Sequence, residues 1–205
     1  FSDASLLSAE KEIGGFGRKI LELPLSNGSG AGQLSLRIPA GSFSQVNWGI
    51  NQALIAHVIE ASQVRFGTKI LDLYSGAGNF SLPLARAGAK VIAVETDPRL
   101  VLFGRENATR NGVEKNLEFV ETSAEKFLHD ARDQRFDVIV ADPPRSGLGP
   151  LVHQIDLAGT LLFVSCHLPS FVRDLKTLTE QGWRVREIQP YDMFAQTSYV
   201  EILGV

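Results

Sequence analysis

The sequence predicts an α/β fold with a seven-stranded, mostly parallel, doubly wound sheet, a C-terminal antiparallel hairpin and a small N-terminal β-hairpin. Short apolar runs alternate with helical patterns from Lys69 onward. Strands this apolar are typical of a parallel sheet that helices cover on both faces. A glycine-rich turn follows the first of these runs, and two further β-rich runs close the chain.

The N-terminal part predicts a β-hairpin and then a helix. Alternating runs at 17–26 and 32–39 flank the stretch NGSGAG, which is typical of a hairpin. Beyond it, apolar residues recur at helical spacing from Ile50 to Ile59, and Asn47 is a suitable N-cap. We expect residues 1–42 to form an appendage, the remnant of a preceding domain, and residues 43–205 to form the main domain.

Strands and helices of the larger part follow in alternation. The expected strands are 69–75, 90–95, 117–121, 136–142 and 160–166. The expected helices or helical turns are 78–87, 98–111, 124–131, 151–156 and 169–180. The runs WRVREIQP and SYVEILGV, at 183–190 and 198–205, predict the closing hairpin.

Composition excludes several classes of protein. A hydrophobic content of 44% over 205 residues is enough for an ordinary core, no run is long enough to cross a bilayer, and the first residues lack a secretory signal layout. One cysteine and four scattered histidines offer neither a disulfide nor metal-ligand spacing. A net charge of -3 argues against a general polyanion binder. We expect a cytoplasmic monomer without a metal or a membrane partner.

A nucleotide-like ligand is predicted at the stretch LDLYSGAGNF. Its glycine turn follows a strand directly, and Glu95 ends the next strand, 19 residues beyond Gly76. In a doubly wound sheet this layout places a ligand against the turn and a carboxylate near ribose hydroxyls. A dinucleotide would need a third glycine for its pyrophosphate, which is missing. The layout favours S-adenosylmethionine, with a plain strand-to-helix turn as the alternative.

Five motifs together carry a specific resemblance. They are FSQVN, LDLYSGAGNFSLPLA, VIVADPPRSG, FVSC and DMFAQTSYVE, and they extend over about residues 43–205. With them the chain resembles the RNA 5-methyluridine methyltransferases, which methylate C5 of uridine in tRNA or rRNA. The resemblance implies a class I S-adenosylmethionine-dependent methyltransferase (Rossmann-like) fold and an RNA partner whose uridine is flipped out or single-stranded.

The resemblance also implies which side chains contact S-adenosylmethionine: Gln45, Tyr74, Asn79, Glu95 and Asp142, beside the turn glycine Gly76. Physically, Glu95 can accept from ribose hydroxyls, Tyr74 offers an aromatic wall and Asp142 ends a strand at the crevice. Structural roles are the alternatives: Gln45 could brace the hairpin, Asn79 could hydrogen-bond within the turn and Asp142 could cap the following segment.

Cys166, the only cysteine, ends a predicted strand. C5 of uracil is a poor nucleophile until a thiolate adds to C6, and the resemblance assigns that addition to Cys166. The C5 proton must then leave, and the resemblance assigns its removal to Glu201. Without the resemblance, Cys166 reads as a buried core thiol and Glu201 as a residue on a solvated strand face.

Four further residues are weaker candidates for substrate binding: Arg145, Arg173, Asp192 and Phe194. Either arginine could hold an RNA phosphate or pair with a carboxylate such as Asp174. Phe194 could stack on a base or belong to the core, and Asp192 could orient its loop or contact the uracil edge.

The chain departs from the family pattern in two motifs and in length. CHLP replaces a cysteine, asparagine, proline order, and Ala195 and Tyr199 stand where the family usually has proline and histidine. Family members commonly carry an N-terminal β-barrel that binds RNA, so we expect this chain to be a fragment or a minimal form. The rival functions are an amino-group methyltransferase, suggested by DPPR, a cytosine-C5 enzyme and a non-catalytic binding module.

Overall fold

The computed structural model describes residues 20–25 and 33–205, and the turn of the predicted N-terminal hairpin lies outside these ranges. The strands are β1 (Ile20–Leu25), β2 (Leu34–Pro39), β3 (Lys69–Leu73), β4 (Lys90–Glu95), β5 (Leu117–Glu121), β6 (Phe136–Ala141), β7 (Ala158–Ser165), β8 (Ile188–Tyr191) and β9 (Glu201–Gly204). The helices are α1 (Trp48–Ala61), α2 (Ser81–Arg86), α3 (Pro98–Arg110), α4 (Ala124–Asp130) and α5 (Leu168–Glu180), with a 3-10 helix at Gly149–His153. No helix within the described ranges is long and apolar enough to span a membrane.

Seven strands form one sheet in the order β5-β4-β3-β6-β7-β9-β8. The strands β3 to β7 are mutually parallel, and β9 runs antiparallel between β7 and β8. Strands β1 and β2 pair separately as an antiparallel sheet. The predicted architecture is therefore confirmed, and the closing hairpin brings the start of β9 beside the end of β7.

Several element ends differ from the prediction: β8 begins at Ile188 rather than at residue 183, and two other ends lie where the backbone turns sharply. Strand β3 stops at Leu73 rather than Ser75, because Tyr74 has a φ of 62°, in the left-handed region that no strand contains. The helix expected from Gly78 begins at Ser81, since Gly78 has a φ of 106°. At α1 the prediction holds: the Asn47 side chain accepts a hydrogen bond from the backbone N–H of Ile50 at 3.2 Å.

The sheet separates two hydrophobic cores. Residues of β3 alternate between them: Ile70 packs with α1, α2 and α3, whereas Leu71 and Leu73 pack with α4 and α5. Burial on both faces explains why the central strands are almost continuously apolar in sequence.

The N-terminal hairpin is fastened to α3 by two asparagines. Asn107 Oδ1 accepts from the N–H of Arg37 at 3.0 Å, and Asn111 Oδ1 accepts from the N–H of Ser35 at 2.9 Å. The Asn107 amide also donates to the carbonyl of Ala77 in the glycine turn at 3.1 Å. The apolar side of the hairpin shares the core under α1 to α3. The hairpin is thus fixed beside the glycine turn, while the domain boundary at residue 42 stays a prediction.

Gly104 permits α3 to approach β5 closely. A Cβ at this position would lie 2.3 Å from the Phe119 ring, well inside van der Waals contact. We expect Gly104→Ala to lower the free energy of unfolding by about 1–3 kcal/mol, because overpacking outweighs the gain in helix propensity. Urea unfolding measures the change. Gly49→Ala in α1, where a Cβ would meet only Asn47 Oδ1 at 3.6 Å, is the control and should not destabilise; equal effects of the two substitutions would contradict this account.

Candidate functional site

The predicted site residues gather at the carboxyl ends of the parallel strands. Tyr74 follows β3, Glu95 ends β4, Asp142 follows β6 and Cys166 follows β7. Because β4, β3, β6 and β7 are neighbours in the sheet, their ends line one crevice. Ligands of doubly wound sheets bind at this edge.

A cavity of about 70 Å³ opens between the glycine turn, the N-terminal hairpin and the loop before α1. Five of the six predicted methyl-donor contacts line it: Gln45, Tyr74, Gly76, Asn79 and Asp142. The residues that the resemblance named therefore converge on one cavity from three separate segments of the chain.

The cavity contains buried polar atoms that the described residues leave unpaired. Gln45 Oε1 and Ser75 Oγ are both buried without a hydrogen-bond partner in these parts of the chain. Gly76 has a φ of 56°, and a Cβ there would have no described atom within 4 Å. Unpaired buried polar groups are costly, so the cavity is suited to a polar ligand that closely approaches the backbone. S-adenosylmethionine carries polar groups that suit these atoms, but it is larger than the 70 Å³ cavity, so part of it would lie outside this cavity.

Glu95 joins the end of β4 to the glycine turn. One carboxylate oxygen, Oε2, accepts from the N–H of Gly76 at 3.0 Å. The other, Oε1, accepts from the N–H groups of Thr96 at 2.7 Å and Asp97 at 2.9 Å. Glu95 is half-buried and does not itself line the cavity. It holds the turn in place, and its predicted contact with ribose stays a prediction.

Asn79 forms a reciprocal amide pair with Asn51 of α1. Asn51 Nδ2 donates to Asn79 Oδ1 at 2.9 Å, and Asn79 Nδ2 donates to Asn51 Oδ1 at 3.1 Å. Asn51 is fully buried. Sequence reasoning missed it, although the signal was present: Asn51 occupies the same helical face as the core residues Leu54, Ile55 and Val58.

Asp72 is a second residue that sequence reasoning missed. It is fully buried in β3, where one oxygen accepts from the Ser81 hydroxyl and Oδ1 has no partner among the described residues. Burial raises the pKa of Asp72 to about 7. The hydrogen bond from Ser81 lowers this pKa, whereas repulsion from Asp142 and Glu95 adds to the rise. A carboxylate within the apolar run KILDL was the available signal.

Cys166 shares its surroundings with two carboxyl groups. Glu201 begins β9 and is 2% exposed, so the alternative of a solvated strand face is excluded. Its Oε1 is buried without a partner among the described residues. Burial, with repulsion from Asp142, raises the pKa of Glu201 to about 8, and burial raises that of Asp142 to about 7. Burial also raises the pKa of the half-buried Cys166 thiol; Glu201 and Asp142 add to this rise, and Arg145 opposes it.

The two candidate arginines differ in their contacts. Arg145 is exposed, and its guanidinium carbon lies 4.7 Å from the centroid of the Tyr199 ring. Arg173 Nε and Nη2 donate to Asp174 Oδ1 at 2.8 and 2.7 Å, and Nη2 also donates to the Ser146 carbonyl at 2.7 Å. Arg173 is therefore engaged in the carboxylate pairing that the sequence offered as an alternative to phosphate binding.

The loop between β8 and β9 carries the remaining candidates. Asp192 is exposed, whereas Phe194 is partly buried and packs against the core under α1 to α3. The Phe194 ring also meets the Tyr199 ring edge-on, with centroids 6.4 Å apart. Phe194 therefore packs against the core, as the structural alternative predicted, and it also lies in the loop that precedes Glu201.

A larger open cavity of about 1000 Å³ lies at the opposite edge of the sheet. The residues that line it include Lys69, Lys90, Leu117 and Phe136, which begin four of the strands. None of the predicted site residues contacts this cavity. The crevice at the carboxyl ends of the strands is therefore the candidate site because the predicted site residues gather there, although its cavity is smaller.

Comparison with known families agrees with this geometry. A model of the family described as tRNA (Uracil-5-)-methyltransferase matches residues 29–205. The chain belongs to the tRNA (uracil-5-)-methyltransferase family. The 23S rRNA (uracil(1939)-C(5))-methyltransferase RlmD of Xylella fastidiosa is 42% identical over 168 residues, which cover 80% of this chain and 38% of that relative. The RlmD of Xanthomonas campestris is 38% identical over 192 residues, which cover 90% and 42%.

This member of the tRNA (uracil-5-)-methyltransferase family thus spans less than half the length of these relatives. The crystal structure of Pyrococcus abyssi tRNA (uracil-54, C5)-methyltransferase in complex with S-adenosyl-L-homocysteine has a TM-score of 0.77 and 32% identity, and covers 92% of this chain and 44% of that chain. A putative S-adenosylmethionine-dependent methyltransferase from Streptococcus mutans shares only the fold, with a TM-score of 0.73 at 16% identity over 94% of this chain and 57% of its own. The predicted class I methyltransferase fold is confirmed.

Proposed function

We propose that this family member transfers a methyl group from S-adenosylmethionine to C5 of a uridine in RNA. One observation carries the proposal: Cys166, the only cysteine, and the buried Glu201 lie on adjacent strand ends, because the preceding Ser165 is the register partner of Ile202. Asp142 connects this pair to the cofactor cavity, because it lines the cavity and interacts electrostatically with both residues. The names of the relatives support the same chemistry.

The methyl donor would be held by the residues of the 70 Å³ cavity. When bound, S-adenosylmethionine supplies a methyl group on a positively charged sulfonium. Gln45 Oε1 and Ser75 Oγ would then gain the hydrogen-bond partners that they lack. Tyr74 would supply an apolar wall, and Glu95 would keep the glycine turn open toward the ligand through its bond to Gly76.

Cys166 and Glu201 divide the chemistry on the uracil ring. The Cys166 thiolate adds to C6, which makes C5 electron-rich and ready to accept the methyl group. Glu201 then takes the proton from C5, the C5–C6 double bond forms again, and the bond between sulfur and C6 breaks. The unpaired Oε1 of Glu201 is free of competing hydrogen bonds from the described residues for this proton transfer.

Release of tritium from RNA that carries the label at uracil C5 tests the proposed function. We expect one tritium to be released for each methyl group transferred, in tRNA or in rRNA tested separately. Methyl transfer without tritium release would show that another atom, such as an amino nitrogen, is the acceptor. If neither tRNA nor rRNA showed methyl transfer or tritium release, the proposal would also be contradicted.

Glu95→Ala should weaken the binding of S-adenosylmethionine by roughly 1–3 kcal/mol, because it removes an acceptor for the ligand and a brace of the glycine turn. Calorimetry measures the affinity. Glu121→Ala is the matched control, since Glu121 ends the neighbouring strand β5 in register with Glu95 and is exposed. Equal affinity of the Glu95 variant and the original protein would remove Glu95 from the binding site.

A further inference from the structure

Three side chains form a stack at the rim of the candidate site. The Arg145 guanidinium carbon lies 4.7 Å from the centroid of the Tyr199 ring, and the Tyr199 and Phe194 rings are nearly perpendicular, with centroids 6.4 Å apart. Tyr199 is 47% exposed, so the stack lies at the surface rather than in the core. The tyrosine stands where the family pattern usually has histidine, and its larger ring supplies a better π face for a cation.

The backbone of Arg145 is fixed independently of this stack. Ser170 Oγ of α5 lies 2.9 Å from the Arg145 carbonyl oxygen. Two further bonds hold the same loop to α5: Arg173 Nη2 donates to the Ser146 carbonyl at 2.7 Å, and the Leu148 N–H donates to Asp174 Oδ2 at 2.6 Å. Only the long side chain of Arg145 therefore needs a partner to fix its direction, and Tyr199 provides one from the β8–β9 loop.

Arg145 and Cys166 are connected through one anchor. The same Ser170 Oγ lies 2.9 Å from the carbonyl oxygen of His167, the residue that follows Cys166. The charged groups that act on the thiol are Glu201 at the start of β9, Asp142 after β6 and Arg145. Of these only Arg145 is positive, so the direction of its side chain decides how strongly it favours the thiolate.

We propose that Tyr199 is a positioning residue whose ring holds the Arg145 guanidinium at the mouth of the crevice that contains Cys166. The positive charge there favours the thiolate that adds to the uracil ring. This inference deepens the proposed function and rests on it for the role of Cys166. It assigns to the exposed Tyr199 a task in preparing the nucleophile, without contact with the reacting atoms.

The rate at which iodoacetamide alkylates the protein tests the inference without RNA or cofactor, because Cys166 is the only cysteine. Alkylation requires the thiolate, so the rate below the thiol pKa reports the thiolate fraction. Tyr199→Leu should slow alkylation about two- to fivefold at neutral pH, which corresponds to the loss of an exposed cation–π contact. Tyr199→Phe keeps the ring and should retain the original rate and pH profile.

Arg145→Gln tests whether Tyr199 affects the Cys166 thiol through Arg145. It should slow alkylation at least as much as Tyr199→Leu, and combining the two substitutions should add nothing further. An unchanged rate in Tyr199→Leu, an equal loss in Tyr199→Phe, or a further loss in the double variant would each overturn the inference. Thermal unfolding of every variant verifies that the fold is kept. If the thiol responds as expected but tritium release fails, the proposed function falls and the positioning of Arg145 stands.

Discussion

Cys166→Ala is expected to lower methyl transfer to RNA by at least about a thousandfold, because a covalent route loses its first step when the nucleophile is removed. The same variant should form no denaturation-resistant complex with RNA that contains 5-fluorouridine. Fluorine at C5 cannot leave as a proton, so the original protein is expected to remain bonded to C6 after the methyl transfer. Gel electrophoresis under denaturing conditions measures the complex.

Two controls separate the loss of the thiol from damage to the site. Binding of S-adenosylmethionine to Cys166→Ala should be nearly unchanged, since Cys166 does not line the cofactor cavity. Val172→Ala, at an exposed position of α5, should retain both methyl transfer and complex formation. A Cys166→Ala protein that still forms the complex would refute the role of this sulfur.

The order of secondary structure was predictable because each signal is local. Apolar runs bounded by glycine turns predicted the five parallel strands, and the Asn47 cap predicted the start of α1. The prediction that Gln45 lies near the glycine turn came from the family resemblance. No local pattern could supply it, because the two are far apart in sequence. Their contact depends on how the hairpin packs beside α3.

Long-range polar pairs were not predictable. The Asn51–Asn79 pair depends on the relative rotation of α1 and the glycine turn, and the Ser81–Asp72 bond depends on how α2 packs against β3. Single-sequence periodicity specifies neither. Buried polar residues on apolar faces nevertheless mark such pairs, because a buried polar group needs a partner.

Glu201 shows how strand order changes the meaning of a local pattern. By alternation alone, a glutamate between Val200 and Ile202 faces solvent at the edge of a sheet. In the structure β9 lies between β7 and β8, and all four of its residues are buried. The antiparallel insertion buries the glutamate next to the end of β7, which local sequence could not indicate.

Glu201→Gln is expected to lower turnover about a hundred- to ten-thousandfold, the range for loss of a general base. Glutamine keeps the shape but cannot take the C5 proton. The adduct between Cys166 and ordinary uridine should therefore accumulate after methyl transfer, whereas the original protein releases it. Denaturing electrophoresis with RNA that contains no fluorine measures the adduct. Glu180→Gln, at an exposed end of α5, is the matched control and should turn over normally.

The pH dependence follows from the same environment. Burial raises the pKa of Glu201 to about 8 and also raises that of the Cys166 thiol, so both groups lose reactive, ionised population as the pH falls. Turnover by the original protein should therefore rise from about pH 7 to about pH 9, measured as initial rates at saturating RNA.

Unchanged turnover in Glu201→Gln, with no adduct, would exclude Glu201 as the base. Accumulation distinguishes the loss of a base from a damaged site, because a damaged site would form no adduct to accumulate.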